Sequence, residues 1–213
     1  MRRIVGIVAS LTLLLLCGAC GDDDSQGLGD FSTNFVTYES TDDDGLSVFT
    51  FQTRDDLPVQ TIASYYSTDK EPGQRFYMRY TTLSTRDDGT SLVSIDDISA
   101  IPTDKARMLT HAEMQQLEET EVSVTSLWRS GKYVNLNGWV PYSGKKYQLM
   151  LVVDSSTLSS DTVDARIVYN TLGETTTFER RVYASFDVSE VWSLASCRHL
   201  RVGISGRTFT FDK

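Results

Sequence analysis

The chain has 213 residues, 40% of them hydrophobic, and a net charge of −9. That length allows one large or two small domains, and ten Tyr, nine Phe and three Trp supply bulky core material. The acidic balance repels phosphate backbones and argues against nucleic acid as a partner, while two His and three Cys leave little for a soft-ligand metal centre or a disulfide framework.

Arg2-Arg3 forms a short basic start, and Ile4 to Leu16 is an almost uninterrupted apolar run. As a helix that run reaches roughly 20 Å, short of the ~30 Å hydrocarbon core, so it reads as a secretion signal and not a permanent span. Small residues Gly18 and Ala19 precede Cys20. The stretch resembles a bacterial lipobox, departing from it where Cys17 stands in place of the usual Leu. Residues 1–19 are then a signal peptide, and Cys20 is the lipid-bearing first residue of the mature chain. Several acyl chains at ~0.8 kcal/mol per buried CH₂ hold a protein firmly to a bilayer. With Cys17 removed and Cys20 acylated, Cys197 is left without an intramolecular disulfide partner. The tether that follows, residues 20–30, is acid and glycine with almost nothing apolar, as a solvated linker requires. An acidic run directly behind the lipidated cysteine also resembles a surface-export signal of one Gram-negative phylum. The expected address is therefore the outer membrane, lipid-anchored and facing the cell exterior.

From Phe31 onward period-2 patterning dominates. In Phe76-Tyr77-Met78-Arg79-Tyr80-Thr81 apolar residues hold the even positions, the signature of a half-buried strand. Comparable runs cover residues 46–54, 57–64, 91–98, 121–128, 133–140, 146–154, 164–170, 177–188, 200–204 and 208–211. Asp44-Gly45, Asp88-Gly89 and Ser205-Gly206 are hairpin-turn signals between them. One segment breaks the pattern: Thr110-His111-Ala112-Glu113 is a capping box opening a short helix to about Glu119. It marks an expected domain junction, because residues 31–109 carry −6 and residues 110–213 only −1. A second helical turn is expected within residues 189–196, where Val191, Trp192 and Leu194 would cap one end of a sandwich. The expected fold is all-β: a small OB-like β-barrel over residues 31–109, then an antiparallel β-sandwich over 110–213, with a short linker helix between them. Strand count alone is served equally well by one larger sandwich.

Two stretches carry a family resemblance. Gly73 to Leu83 (GQRFYMRYTTL) resembles the central strand of the NigD-like lipoprotein family, and Val124 to Leu136 (VTSLWRSGKYVNL) resembles the opening of its second domain. The similarity runs from about Phe31 to Lys213. It implies an N-terminal OB-like domain and a C-terminal β-sandwich on an outer-membrane lipoprotein with no established catalytic residues. The family's name comes from bacteriocin gene clusters, which points to toxin immunity as an alternative role.

No catalytic set emerges from the motifs. Gly203-Ile204-Ser205-Gly206 misses the nucleophile-elbow pattern by one position, and no phosphate-binding glycine loop is present. Cys197 and His199 would share a strand face, but two ligands make no metal site. Asp42-Asp43-Asp44-Gly45 lacks the spacing of a calcium loop and fits a solvated turn, although a peripheral calcium ion stays open. Paired carboxylates for glycoside cleavage stay open as well, with a surface hydrolase as the weakest alternative. Among the aromatics, Tyr65, Tyr66, Trp128, Trp139, Tyr142 and Trp192 are explained first by core packing, which such residues serve routinely in sandwiches, with a sugar or peptide groove as the alternative. Tyr65 and Tyr66 are the candidates for exposure, since neighbouring strand residues face opposite ways. The expected role is a non-enzymatic binding protein for a protein or glycan, needing no cofactor and no catalytic residue.

Overall fold

Five strands close on themselves in the first half of the chain. They are β1 (Phe31–Thr41), β2 (Ser47–Phe51), β3 (Gln60–Ser64), β4 (Arg75–Thr85) and β5 (Ser91–Ala100), arranged β1-β2-β3-β5-β4 with β4 returning to β1. The computed structural model describes residues 31–213. The signal peptide, the lipidated Cys20 and the acidic tether expected for residues 1–30 lie outside the described residues.

Alternation builds the barrel. Phe76, Met78 and Tyr80 of β4 point inward as the period-2 pattern requires, meeting Val36, Phe49, Ile62 and Val93. Each fully buried side chain of this size contributes about 1.5–3 kcal/mol. The β1–β2 turn is closed by Asp42, whose Oδ1 accepts from the backbone N–H groups of Asp44 (3.1 Å) and Leu46 (2.8 Å), while Gly45 takes φ +80°. Arg86 pairs with both Asp42 and Asp44 and offsets part of the charge of this acidic turn. Four seams of the barrel are antiparallel. The fifth, between β3 and β5, is parallel and has two rows only, Ile62 against Ser91 and Ala63 against Leu92.

The second half is a two-sheet sandwich. One sheet is β14-β13-β11-β10-β7 and the other β6-β12-β9-β8. Their strands are β6 (Thr103–Lys105), β7 (Arg107–Leu109), β8 (Ser123–Ser130), β9 (Tyr133–Tyr142), β10 (Gln148–Asp154), β11 (Thr162–Asn170), β12 (Phe178–Asp187), β13 (His199–Ile204) and β14 (Arg207–Asp212). Hairpins supply the antiparallel pairs β8–β9, β10–β11 and β13–β14, β9 and β12 pair antiparallel across a longer connection, and β6–β12, β7–β10 and β11–β13 run parallel. Leu136, Leu151, Ile167, Tyr169, Phe186 and Leu200 fill the space between the sheets.

The change of domain falls earlier than residues 109 and 110. β6 and β7 hydrogen-bond in the two sandwich sheets, so the chain leaves the barrel at Ala100 and enters the sandwich within three residues. Strands of three residues are too short to show a period, whereas backbone pairing with a long neighbour holds them well. Counted at the observed boundary, residues 31–100 carry −7 and residues 101–213 carry 0.

The helix α1 (His111–Gln115) has the anticipated capping box, but it ends at Gln115 and is no linker. It lies on the outer face of the five-stranded sheet, where Met114 and Leu117 cover Met150, Val152 and Val168. The second helix, α2 (Ser189–Trp192), packs Val191, Trp192 and Leu194 against the sandwich core.

Candidate functional site

The outward face of the four-stranded sheet carries Trp128 on β8, Asn135, Asn137 and Trp139 on β9, and Arg181, Tyr183 and Ser185 on β12. Register places Asn135 opposite both Trp128 and Ser185, and Asn137 opposite Tyr183. The barrel sits on one end of this face. Arg75 of β4 is 3% exposed and reaches Asn135 Oδ1 (2.9 Å), Ser185 Oγ (3.2 Å) and Thr37 Oγ1 (3.0 Å), with its guanidinium 4.2 Å from the Tyr133 ring centroid. None of these partners is a carboxylate. Desolvation therefore dominates, and it pulls the Arg75 pKa down to about 10.

A second clamp holds the junction from the other side. Asp55, in the loop after β2, accepts from the Gly131 N–H at 2.9 Å and pairs with Arg129, which stacks 3.8 Å from the Trp192 ring centroid. Burial pushes the Arg129 pKa down as well. Gln52 anchors the same loop by donating to the carbonyls of Asp55 and Leu57.

Between the clamped end and the free end of the sheet face lies a groove of about 590 Å³. Its floor is aromatic. Phe35 of β1 meets Trp128 at 4.9 Å and Tyr183 at 5.6 Å between ring centroids, both edge-on, and Tyr77 of β4 stacks on Tyr183 at 4.5 Å and 14°. Burial, together with the Tyr77 ring and hydroxyl beside it, raises the Tyr183 pKa. The rim is polar: Thr33, Asn34, Gln52, Thr53 and Asn137. Arg181 closes it, its Nε donating to Asn137 Oδ1 at 3.1 Å and its guanidinium 5.1 Å from the Tyr183 centroid. Such a lining holds a ligand by stacking and by hydrogen bonds from planar amides, hydroxyls and one cation.

Of the aromatics singled out in the sequence, only Trp128 lines this groove. Tyr65 and Tyr66 lie together at a separate barrel cleft of about 500 Å³ beside Leu83 and Ile95, Tyr65 exposed at 78% and Tyr66 half-buried against the barrel core. Trp139 is exposed on the sheet face, Tyr142 packs edge-on to Tyr147 and Phe178, and Trp192 lies under Arg129. Phe35, Tyr77 and Tyr183 escaped sequence reading because each has the ordinary alternation of a strand. Only the docking of barrel on sandwich distinguishes them.

The titratable candidates do not converge. Cys197 is buried just before β13, its Sγ 3.6 Å from the His199 carbonyl, and the His199 ring turns away to Asp212 at 2.7 Å. His111 Nδ1 contacts Asp154 at 2.7 Å, but its Nε2 faces the Gln115 side-chain amide at 2.9 Å and no hydroxyl. That pair orients a helix and lacks the nucleophile of a triad. Among the described residues no group of three His, Cys, Asp or Glu side chains converges as a metal site.

A closed five-stranded barrel joined directly to a mixed β-sandwich, with a groove at the joint, defines a two-domain all-β class. Residues 105–208 match the NigD-like C-terminal beta sandwich domain. Through that domain the chain is similar to the NigD-like family. Solved structures share the whole arrangement. A protein of unknown function from Bacteroides vulgatus aligns with TM-score 0.68 at 16% identity, over 86% of this chain and 90% of that one. A NigD-like immunity protein from Bacteroides caccae gives 0.56 at 19%, over 84% and 91%. A candidate lipoprotein from Bacteroides fragilis gives 0.59 at 10%, over 85% and 96%. No curated protein sequence matches the chain.

Proposed function

We propose that the chain is a lipid-anchored, non-catalytic binding protein of the outer membrane, displayed at the cell exterior, whose ligand enters the barrel–sandwich groove. The groove carries this reading: aromatic rings and neutral hydrogen-bonding groups surround a volume of about 590 Å³, within the ~300–1,000 Å³ of small-ligand sites. The anchor rests on Cys20 with Gly18 and Ala19 before it, and the fold shared with the Bacteroides fragilis candidate lipoprotein supports it. Labelling cells with an alkyne fatty acid tests the anchor: the wild-type chain acquires label and stays with membranes, and Cys20→Ser does neither. An unlabelled, soluble wild type defeats it. A membrane-impermeant amine reagent on intact cells tests display; labelling only after lysis places the chain on the periplasmic face.

Toxin immunity is the second reading, favoured by the fold shared with the Bacteroides caccae immunity protein. There the ligand is a secreted peptide or protein. Expression of the chain in a sensitive strain then protects against toxins encoded beside its gene, and Thr53→Trp, which fills the groove from its exposed rim, removes the protection. Survival that is identical with and without the chain rejects immunity and leaves the binding-protein reading intact.

A further inference from the structure

The groove's charge is unlike the rest of the molecule. The chain holds 29 Asp and Glu against 20 Lys and Arg, yet no carboxylate lines the groove, and the single charged group there is Arg181. Among the described residues Arg181 enters no ion pair, although Arg129, Arg166 and Arg201 of the same domain all do. Its Nε is committed to Asn137 and its flat face lies over Tyr183, so the guanidinium is fixed with both Nη groups unclaimed. A guanidinium held in this way presents two parallel donors, the geometry a carboxylate accepts.

The remaining surface selects what carries that carboxylate. Trp128 and Tyr77 offer flat apolar area; at the rim Thr53 offers a hydroxyl and Asn137 and Asn34 offer amide groups, while Gln52, its N–H groups held by Asp55 and Leu57, offers its oxygen. A pyranose ring has one C–H-rich face to lay on an aromatic ring and hydroxyls around its edge for amides. One cation in an acidic chain is too little for a phosphate polymer. We infer that the groove binds a glycan through a carboxylate-bearing sugar residue, a uronic acid or sialic acid, with the acid on Arg181 and the ring against Trp128 and Tyr77. This rests on the reading that the groove is a ligand site.

The test titrates the full chain in detergent micelles with a trigalacturonate, a hyaluronate tetrasaccharide and sialyllactose, each beside its neutral carboxyl-methyl ester, following Trp fluorescence and binding heat. At least one acidic sugar binds ten or more times tighter than its ester. Arg181→Gln, at an exposed position, removes this preference, so that acid and ester bind alike. Thr53→Trp abolishes both. Equal binding of acid and ester, or a preference that survives Arg181→Gln, overturns the carboxylate assignment. Failure of every sugar overturns the saccharide. If a photoreactive group at residue 53 then captures a protein that Thr53→Trp no longer binds, the binding-protein reading stands without the glycan. Silence in both experiments removes the groove as a ligand site.

Discussion

Asp154 shows how a single side chain couples this fold to pH. Its carboxylate takes hydrogen bonds from the Ser156 hydroxyl (2.6 Å), the His111 ring (2.7 Å) and the Ser156 N–H (3.0 Å), and these hold its pKa below the usual carboxylate range. A lowered folded-state pKa stabilises the fold above the unfolded value of about 4, and the contribution is lost as pH falls through the folded value. Asp42 and Asp88 are lowered for the same reason, by the backbone N–H groups of Leu46 and Thr90 first. The urea midpoint of the wild type therefore falls steeply below about pH 4, and Asp154→Asn falls less steeply; parallel curves for the two proteins count against this role. The turn acids were legible in the sequence because Asp88 opens an Asp-Gly pair and Asp42 heads the Asp-rich run that ends at Gly45, and such side chains bond the backbone just ahead of them. The partner of Asp154 was not, since His111 lies 43 positions away.

At the scale of elements, alternation carried most of the information. The barrel strands and the long sandwich strands stand where hydrophobic residues recur at every second position. Three strands lay outside the runs read from that signal: β1, held by β2 and β4, and β6 and β7, which exist because β12 and β10 offer them a parallel edge. Close packing between neighbours is visible at Gly138 of β9, where a Cβ would stand 2.9 Å from the Ser123 carbonyl oxygen of β8 and 3.4 Å from Val122. Backbone oxygen cannot swing aside as a flexible side chain can. Gly138→Ala is expected to lower stability by about 1–3 kcal/mol, read from the urea midpoint; an unchanged midpoint shows that β8 yields.

For the whole molecule, the decisive fact is that barrel and sandwich share polar and aromatic contacts across their joint. Arg75 joins residues 60 and 110 positions away, and Asp55 joins one 76 positions away. No local pattern announces such pairs, so the groove they frame was invisible in the sequence while both domains around it were legible. Arg75→Ala leaves a cavity and strips Asn135 and Ser185 of a buried donor, at a cost of about 2–4 kcal/mol. Arg75→Met, which fills the space without a charge, recovers more than half of that. Calorimetry of the wild type is expected to give one endotherm for residues 31–213, and Arg75→Ala is expected to split it in two. A single endotherm in both proteins indicates that other contacts suffice to couple the domains.

The two-row seam between β3 and β5 has a kinetic corollary. Every other closure of the barrel rests on four rows or more, so thermal fluctuation unzips the cylinder along this line before any other. Amides bordering it, at Ala63 and Leu92, trade hydrogen for deuterium ahead of those in the middle of β4. The cleft holding Tyr65 and Tyr66 borders this line, lined by Ser64 at the end of β3 and by Val93 and Ser94 of β5, so the weakest seam of the barrel adjoins this tyrosine pair.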